Sequence, residues 1–434
     1  MPADVRQVRS TGPAAPPMVR VVVLNWNAAD LTARCLRSVL STRHHPDRLE
    51  VVVVDNGSVD GSLAQLRRDF PIVRIIENGA NLGFAEGCNR ALRDLDDVDY
   101  VALVNNDAVV EPGWLAPLLD VMDAQSDVGA ACPKILLETP LVDVQVSAAG
   151  GAPPSVDRVT VDGLDVSARC VRFRGQPGRL GVPVGPAEDS AAVQLSFVGP
   201  ASSIEVAAAG STVARVGEAE VAAVVRFELA GPGTIRVNSL GLGLTEYSEG
   251  LELGYGEPDP GPTDAEARDV LGFSGGGVLL RTAALRQVGV FDPLWFAYYE
   301  DLDLSWRLRR AGWRIVCVPT SVVRHLQHGA GGPRSAFFQL ANTRNWLLTV
   351  LRNGGLREIA TAWRYGLARG WFASRRGRDR QTAVAWARIW LAVAWAAPGV
   401  LAQRITGRLV GAQPADRVGG PFLHPPTAVG PSGS

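Results

Sequence analysis

"YVALVNNDAVVEPGWL" (residues 100–115) sets the fold class. Residues 101–104 are an unbroken apolar run that ends directly in Asn105, Asn106 and Asp107. A strand with one wet face alternates apolar and polar residues. A strand with no alternation is buried on both faces, as in a parallel sheet covered by helices. The same grammar recurs in "VRVVVLNWN" (19–27), "LEVVVVDNGSVDGS" (49–62) and "VRIIEN" (73–78). Between the first two runs, Leu31, Cys35, Leu36 and Val39 stand at helical spacing. The class expected is α/β, with a doubly wound, mostly parallel sheet.

In such sheets ligands bind beyond the carboxyl ends of the strands, where loop amides and helix N-termini converge. Three runs end in polar clusters: Asn25-Trp26-Asn27, Asp55-Asn56-Gly57-Ser58 and Asn105-Asn106-Asp107. Parallel strands bring those clusters to one rim, which is therefore the expected site.

A length of 434 residues predicts two or three domains. The net charge of −1 gives no whole-chain field for nucleic acid, and no nucleic-acid partner is expected. Five cysteines without CxxC or metal-like spacing read as small buried hydrophobes in a reducing compartment. Residues 1–18 lack a long apolar run, so no signal peptide is expected, only a disordered N-terminus. Residues 140–265 break the pattern. They are rich in Gly, Pro, Ala, Val and Ser, and short alternating runs such as "AVQLSFV" and "VAAVVRFELA" predict an inserted all-β, sandwich-like domain. The α/β pattern resumes over 266–335, helices with tryptophans and arginines follow over 336–410, and 411–434 has a disordered composition.

Seven motifs, "VVVLNWN", "VVVVDNGSVDGS", "NLGFAEGCNRAL", "ALVNNDAVVEPGWL", "FSGGGVLLR", "FDPLWFAYYEDLDLSWRLRRAGW" and "VRHLQHG", occur in this order. Together they resemble the inverting family 2 glycosyltransferases of the GT-A fold, above all the rhamnosyl- and galactofuranosyltransferase branch of bacterial cell-wall assembly. The resemblance covers residues 19–135 and 270–350. It implies a nucleotide-sugar-binding half over 19–139 and an acceptor and catalytic half over 266–335.

Residue roles follow from the resemblance. Asp55 would read the nucleoside, with Asn25, Asn27, Asn56, Gly57, Asn81, Gly83, Asn89 and Asn106 around the donor. A turn aspartate at Asp55 and a helix cap at Asn81 are the structural alternatives. Asn105 and Asp107 occupy the places of the metal-binding DxD. Asn105 departs from the pattern, since a neutral amide oxygen is the weaker ligand. His325, 24 residues after Asp301, would complete a Mn2+ or Mg2+ site, with His328 as the fallback. Inverting transfer needs a base for the acceptor hydroxyl. The resemblance gives that role to Asp301, favoured over Glu300, and the N-terminal dipole of its helix is expected to keep it ionised. Gly275 and Gly276 would border the acceptor. Trp295, Tyr298 and Tyr299 read either as a sugar platform or as core, and Arg334 as a diphosphate contact.

Between Arg357 and Arg408 stand ten arginines against only Glu358 and Asp379. Basic, Trp-rich helices over 336–408 suit an anionic membrane surface; the apolar run 389–402 is too short for a span, which needs ~20 residues. The expected partners are a nucleotide-diphosphate sugar and a glycan or polyprenyl-linked acceptor. The expected location is the cytoplasm, at the inner face of the plasma membrane. Two rivals remain: an inactive glycan-binding scaffold on the same fold, and a nucleotidyltransferase, which "LNWNAADL" disfavours because it lacks a Gly-rich basic loop. A dinucleotide-binding dehydrogenase lacks its GxGxxG after the first strand.

Overall fold

The computed structural model describes residues 16–149, 153–167, 169–173, 176–185, 190–198, 203–217, 222–230, 233–261, 266–326, 336–376 and 380–409. The chain begins as β1 (Val19–Asn25), α1 (Ala29–Leu40), β2 (Leu49–Asp55), α2 (Ser62–Asp69), β3 (Arg74–Glu77), α3 (Gly83–Asn89), β4 (Tyr100–Val104), β5 (Ala108–Val110), α4 (Leu115–Ala124) and β6 (Val128–Leu137). Strands β3, β2, β1 and β4 lie side by side and parallel, so their carboxyl ends share one edge. Both faces are covered. Val21, Val23 and Val53 pack with Leu36 and Val39 of α1, while Val22, Val52 and Val54 pack with Ala85, Cys88 and Leu92 on the other side. This two-sided burial is why the runs show no alternation.

Next come β7 (Leu141–Ala148), β8 (Ser155–Val161), β9 (Leu164–Asp165), β10 (Val171–Arg172), β11 (Arg179–Pro183), β12 (Ser190–Val198), β13 (Ile204–Ala208), β14 (Ser211–Val216) and β15 (Ala222–Ala230). They form two antiparallel sheets, ordered β10-β11-β7-β13-β14 and β15-β12-β8-β9. Alternate residues such as Val144, Leu195, Phe197, Val206 and Phe227 share one core between them, which makes the insert a β-sandwich.

The chain then returns to the main sheet earlier than composition alone indicates. Strand β16 (Val237–Ser239) pairs with β6, and the hairpin β17 (Leu242–Leu244) and β18 (Gly250–Glu252) packs Leu242 and Leu244 against Leu271, Leu302 and Trp306. Beyond it follow β19 (Arg268–Asp269), β20 (Gly277–Arg281), α5 (Thr282–Val288), α6 (Glu300–Arg310) and β21 (Arg314–His325). Strand β20 runs antiparallel between β4 and β6, and β21 runs parallel to β6, with its end paired to β5.

Three helices close the described chain: α7 (Ala336–Asn353), α8 (Leu356–Arg376) and α9 (Arg380–Leu409). Asp303 of α6 is fully buried and binds Arg307, Arg352 and Asn353 at 2.9, 3.2 and 2.9 Å. Burial would raise its carboxyl pKa, but Arg352 and Arg307 overcome that and hold it below the usual range. The network fastens α6 to α7, and removing one partner of such a buried pair costs about 3–5 kcal/mol. Helix α9 continues through Pro398, and Thr382–Thr406 is long and apolar enough to cross a membrane by length and composition. The expectation of a run too short to span, drawn from residues 389–402 alone, is corrected by the helix, which extends that run on both sides. One side of α9 is occupied: Ile389, Val393, Ala396 and Val400 pack into the cluster that holds Trp346 of α7. Leu391 and Trp395 face solvent, 70% and 81% exposed.

Candidate active site

The ends of β1 and β2 are locked together by their own polar side chains. The Asn25 amide donates to Asp55 Oδ1, Ser58 Oγ and Ser62 Oγ at 2.9–3.0 Å, and Thr32 Oγ1 donates to Asn25 Oδ1 at 2.7 Å. Asp55 Oδ2 accepts from the Ser58 amide at 3.1 Å, and Asn27 Oδ1 accepts from the Val59 amide at 2.8 Å. Asn56 spans the next loop, donating to Asn81 Oδ1 and Gly83 O and accepting from Asn78 and the Leu82 amide. Gly57 has φ +76°, and a Cβ there would meet the Ala80 backbone at 2.6 Å, so only glycine fits this crossing. Asn106 donates to Thr32 Oγ1 at 3.2 Å. These residues gather at one rim. Asn89 is buried and exchanges bonds with both backbone groups of Phe291, so its side chain is committed to fastening α3 to the segment before α6.

At the end of β4, Asp107 Oδ1 lies 2.8 Å from His325 Nε2, and His325 Nδ1 lies 2.9 Å from Asn238 Oδ1. The carbonyl of Asn238 accepts the Nδ1 proton. That leaves Nε2 facing a carboxylate oxygen at hydrogen-bond distance. The pair therefore fits a hard divalent ion in donor type, with the buried Asn238 fixing the tautomer from behind. No group of three His, Cys, Asp or Glu side chains suited to a metal occurs among the described residues. The remaining ligands of any such ion must come from elsewhere. The Asn105 side-chain amide lies 3.5 Å from His325 Nε2.

Asp301 sits in the first turn of α6. Its Oδ2 accepts from the Gly275 amide at 3.0 Å and its Oδ1 from the Leu302 amide at 2.7 Å. Burial pushes its pKa up, and those amides counter by stabilising the ionised form. The helix dipole is thus not the whole balance. Glu300 is buried as well, its pKa is raised well above the usual value by burial and then by Asp301, and its Oε2 has no hydrogen-bond partner among the described residues. Of the two acids, Asp301 is the better supplied with donors that favour a carboxylate.

The turn before α6 is strained. Phe296, Tyr298 and Tyr299 all have positive φ, at 49°, 70° and 72°. Such conformations cost of order 1–3 kcal/mol each and persist only when neighbours enforce them. Asn345 of α7 enforces this one: its buried amide donates to the carbonyls of Trp295, Ala297 and Tyr298 at 2.8–3.0 Å. Phe296 O in turn caps α3, accepting from the amides of Phe84 and Ala85. Gly83, with φ +78°, passes so close to Phe296 that a Cβ would strike it. Trp295 is 1% exposed, beneath the C-terminal helices, and cannot act as a stacking platform; it is core. Tyr299 Oη accepts from the Gly250 amide at 3.1 Å, tying α6 to the β17–β18 hairpin.

Between Asp301 and His325 runs the glycine loop. A Cβ on Gly275 would lie 3.7 Å from Asp301 Oδ2, and one on Gly276 would lie 3.9 Å from His325 Cε1. Asn105 N donates to Gly276 O at 3.3 Å, which links the turn of residues 105–107 to the glycine loop beside Asp301. His328 and Arg334 lie outside the described residues. The sequence pattern gives no sign of Asn238, Asn345 or Glu252. Each is a polar residue inside an apolar or glycine-rich stretch, and each acts on partners 47 to 87 positions away or, for Glu252, 22 positions away through Ser274.

Two family models match the chain: "Glycosyl transferase family 2" over residues 20–141 and "Glycosyltransferase like family 2" over residues 262–346. The chain is 25% identical over 355 residues to the N-acetylglucosaminyl-diphospho-decaprenol L-rhamnosyltransferase of Mycobacterium tuberculosis strains CDC 1551 and H37Rv, spanning 79% of this chain and 87% of that one. Among solved structures it is similar to the mannosyltransferase PcManGT from Pyrobaculum calidifontis in complex with GDP-Man and Mn2+, with TM-score 0.44 and 17% identity over 92% of this chain and 81% of that one. It is also similar to GalNAc-T7 with UDP, GalNAc and Mn2+, with TM-score 0.46 and 12% identity over 77% of this chain and 48% of that one.

Proposed function

From its membership of the family 2 glycosyltransferases of GT-A type, we propose that this enzyme moves a sugar from a nucleotide-diphosphate donor to a hydroxyl of a cell-envelope glycan or lipid-linked acceptor, with inversion. The donor is dTDP-rhamnose or a similar dTDP- or UDP-sugar. One observation supports the reading best. Asp107, His325 and Asp301 come from three separate stretches of chain and meet around the glycine loop 275–276.

Asp55 holds the nucleoside at the rim that Asn25, Asn27 and Ser58 build. Asn56, Asn81 and Gly83 shape the loop beside it, and Asn106 orients Thr32. Asp107 and His325 would hold Mn2+ or Mg2+, with Asn105 as a weaker neighbour; such an ion, when bound, neutralises the charge that grows on the diphosphate as it leaves. Asp301 takes the proton from the acceptor hydroxyl as that oxygen attacks the anomeric carbon, and the diphosphate departs from the opposite face. Burial makes Asp301 a stronger base than an exposed aspartate, while the Gly275 amide keeps its oxygen aimed. The relative's substrate name, a sugar on diphospho-decaprenol, supports a lipid-linked acceptor. We place the enzyme in the cytoplasm against the inner face of the plasma membrane, with α8 and α9 as peripheral contacts.

The purified protein with Mn2+, dTDP-rhamnose and a short polyprenyl-diphospho-N-acetylglucosamine tests the proposal. Transfer is expected, and Asp301→Asn should lower kcat by about 10²–10⁴ with an unchanged melting temperature. A folded wild type that turns over none of the common dTDP- and UDP-sugars, with metal present, would favour the inactive scaffold.

A further inference from the structure

A cleft beside the Asp107–His325 pair is lined in part by the inserted sandwich. Its walls are the end of β6 with the start of β7, the end of β21 at His325 and Leu326, and Arg169 from the loop between β9 and β10. They enclose about 220 Å3 of empty space, open to solvent. Two backbone bonds join this cleft to the proposed metal pair: Leu326 N donates to Asp107 O, and Glu138 N to His325 O, both at 3.0 Å. Strand β21 is parallel to β6, and β4 and β6 are both antiparallel to β20, so the ends of β4, β6 and β21 share one rim. In the sheet, β6 and β21 stand on the far side of β4 from β1 and β2, which carry the proposed nucleoside rim.

Arg169 is anchored on both sides. Three residues before it, Val166 is buried in the core of the sandwich, and two residues after it, Val171 packs with Leu137 and Leu141 of the cleft wall. Its own amide closes a turn on Val166 O at 2.9 Å. The residue is partly buried, and its side chain makes no hydrogen bond or ion pair among the described residues. The acid of the wall, Glu138, is already occupied by Arg34 of α1 at 2.8 Å, and Asp107 is turned to His325. Two guanidiniums against the one carboxylate of Glu138 leave this wall positively charged. A partly desolvated guanidinium without a partner is costly, and an anion removes that cost. Phosphate is the anion whose oxygens match the guanidinium fork, two bonds at a time.

Resting on the glycosyltransferase reading above, we propose that Arg169 binds the diphosphate of a lipid-linked acceptor, so that the inserted sandwich completes the acceptor site. The donor runs from the nucleoside rim on β1 and β2 to the Asp107–His325 pair. The acceptor comes from the other side, with its attacking hydroxyl at Asp301 and its own diphosphate at the rim of β6 and β21. Arg169 touches no reacting atom on this arrangement. It holds the acceptor and selects one that carries a diphosphate.

The test uses the full chain with Mn2+, dTDP-rhamnose and two acceptors: a short polyprenyl-diphospho-N-acetylglucosamine, and an alkyl N-acetylglucosaminide without the diphosphate. Arg169→Ala should raise the KM of the diphospho acceptor about tenfold or more and leave that of the alkyl acceptor unchanged. Arg169→Lys, which keeps the charge but not the fork, should recover part of the loss. The donor KM and the thermal shift given by dTDP-rhamnose with Mn2+ should not change, which also reports that both variants fold. A diphospho-acceptor KM within twofold of wild type in Arg169→Ala overturns the proposal. So does an equal penalty on both acceptors, or a raised donor KM, which would assign Arg169 to the donor's diphosphate instead. A wild type that turns over no nucleotide sugar with either acceptor overturns the underlying reading and the inference with it.

Discussion

At the scale of the residue, the site is a set of carboxyls in unequal surroundings. Asp301 has two backbone donors, Glu252 is oriented by the Ser274 hydroxyl, and Glu300 has an oxygen without a partner among the described residues. Environment, not residue type, separates their roles. The Glu252 environment has a consequence for stability. Its pKa rises from the ordinary 4.5 to about 7 in the fold, so the folded chain binds more protons than the unfolded chain between those values. Stability is therefore full below about 4.5 and is lost as pH rises through about 7. Asp301 and His325 are the charged groups that face it. Glu252→Gln should remove the decline, gaining on the order of 2 kcal/mol over the wild type at pH 8 and little at pH 5. Melting temperatures at the two pH values check this; equal differences at both would show that Glu252 titrates normally.

At the scale of the element, the turn before α6 matters more than the helix itself. Its three positive-φ residues are non-glycine, and Asn345 on α7 supplies the bonds that hold them. Asn345→Ala leaves three carbonyls short of a donor and frees the turn, at a cost of about 2–3 kcal/mol. Because Phe296 O caps α3 and Tyr299 leads into Glu300, the damage should reach both the Gly83 loop and the proposed base Asp301. We expect kcat to fall by at least tenfold at a temperature where the variant is fully folded. Circular dichroism and steady-state kinetics at that temperature test it, and a stability loss with unchanged kcat would make Asn345 merely structural. This region is unevenly legible in the sequence. "FAYYEDLDLSWRL" displays its acids, but nothing in "FFQLANTRNW" marks Asn345, since a polar residue in an amphipathic helix normally faces water.

At the scale of the whole molecule, the C-terminal helices have one packed face and one exposed face. One side of α9 packs on α7, while Leu391, Trp395, Leu401 and Ile405 stand exposed, as do Trp371 and Phe372 on α8 beside Arg375. A face this apolar, flanked by arginines, suits the headgroup boundary of an anionic bilayer. Because the opposite face of α9 is occupied by protein, a surface-lying helix fits better than a lone span. Anionic liposomes should float the protein in low salt, and Leu391→Asp with Trp395→Asp should abolish flotation while leaving the melting temperature within a few degrees. Full flotation of that double variant would exclude α9 as the contact. Docking there would bear directly on the site, because α7 carries Asn345, Arg352 and Asn353 to the turn and to Asp303.

Local pattern was enough for the sheet, the rim and the acids at it. Two-sided burial forces continuous apolar strands, and parallel strands must end together, so Asp55 and Asp107 could be placed on one edge before any contact was known. The β character of the insert was equally legible, through its alternation. Which side chains stand behind those acids was settled by the packing of the chain. Asn238 behind His325, Asn345 behind the strained turn and Glu252 beside the glycine loop come from elements whose own periodicity reports nothing of their partners. The physical reason is range: hydrophobic periodicity is written within a dozen residues, whereas a hydrogen bond between distant segments depends on how all the elements come together.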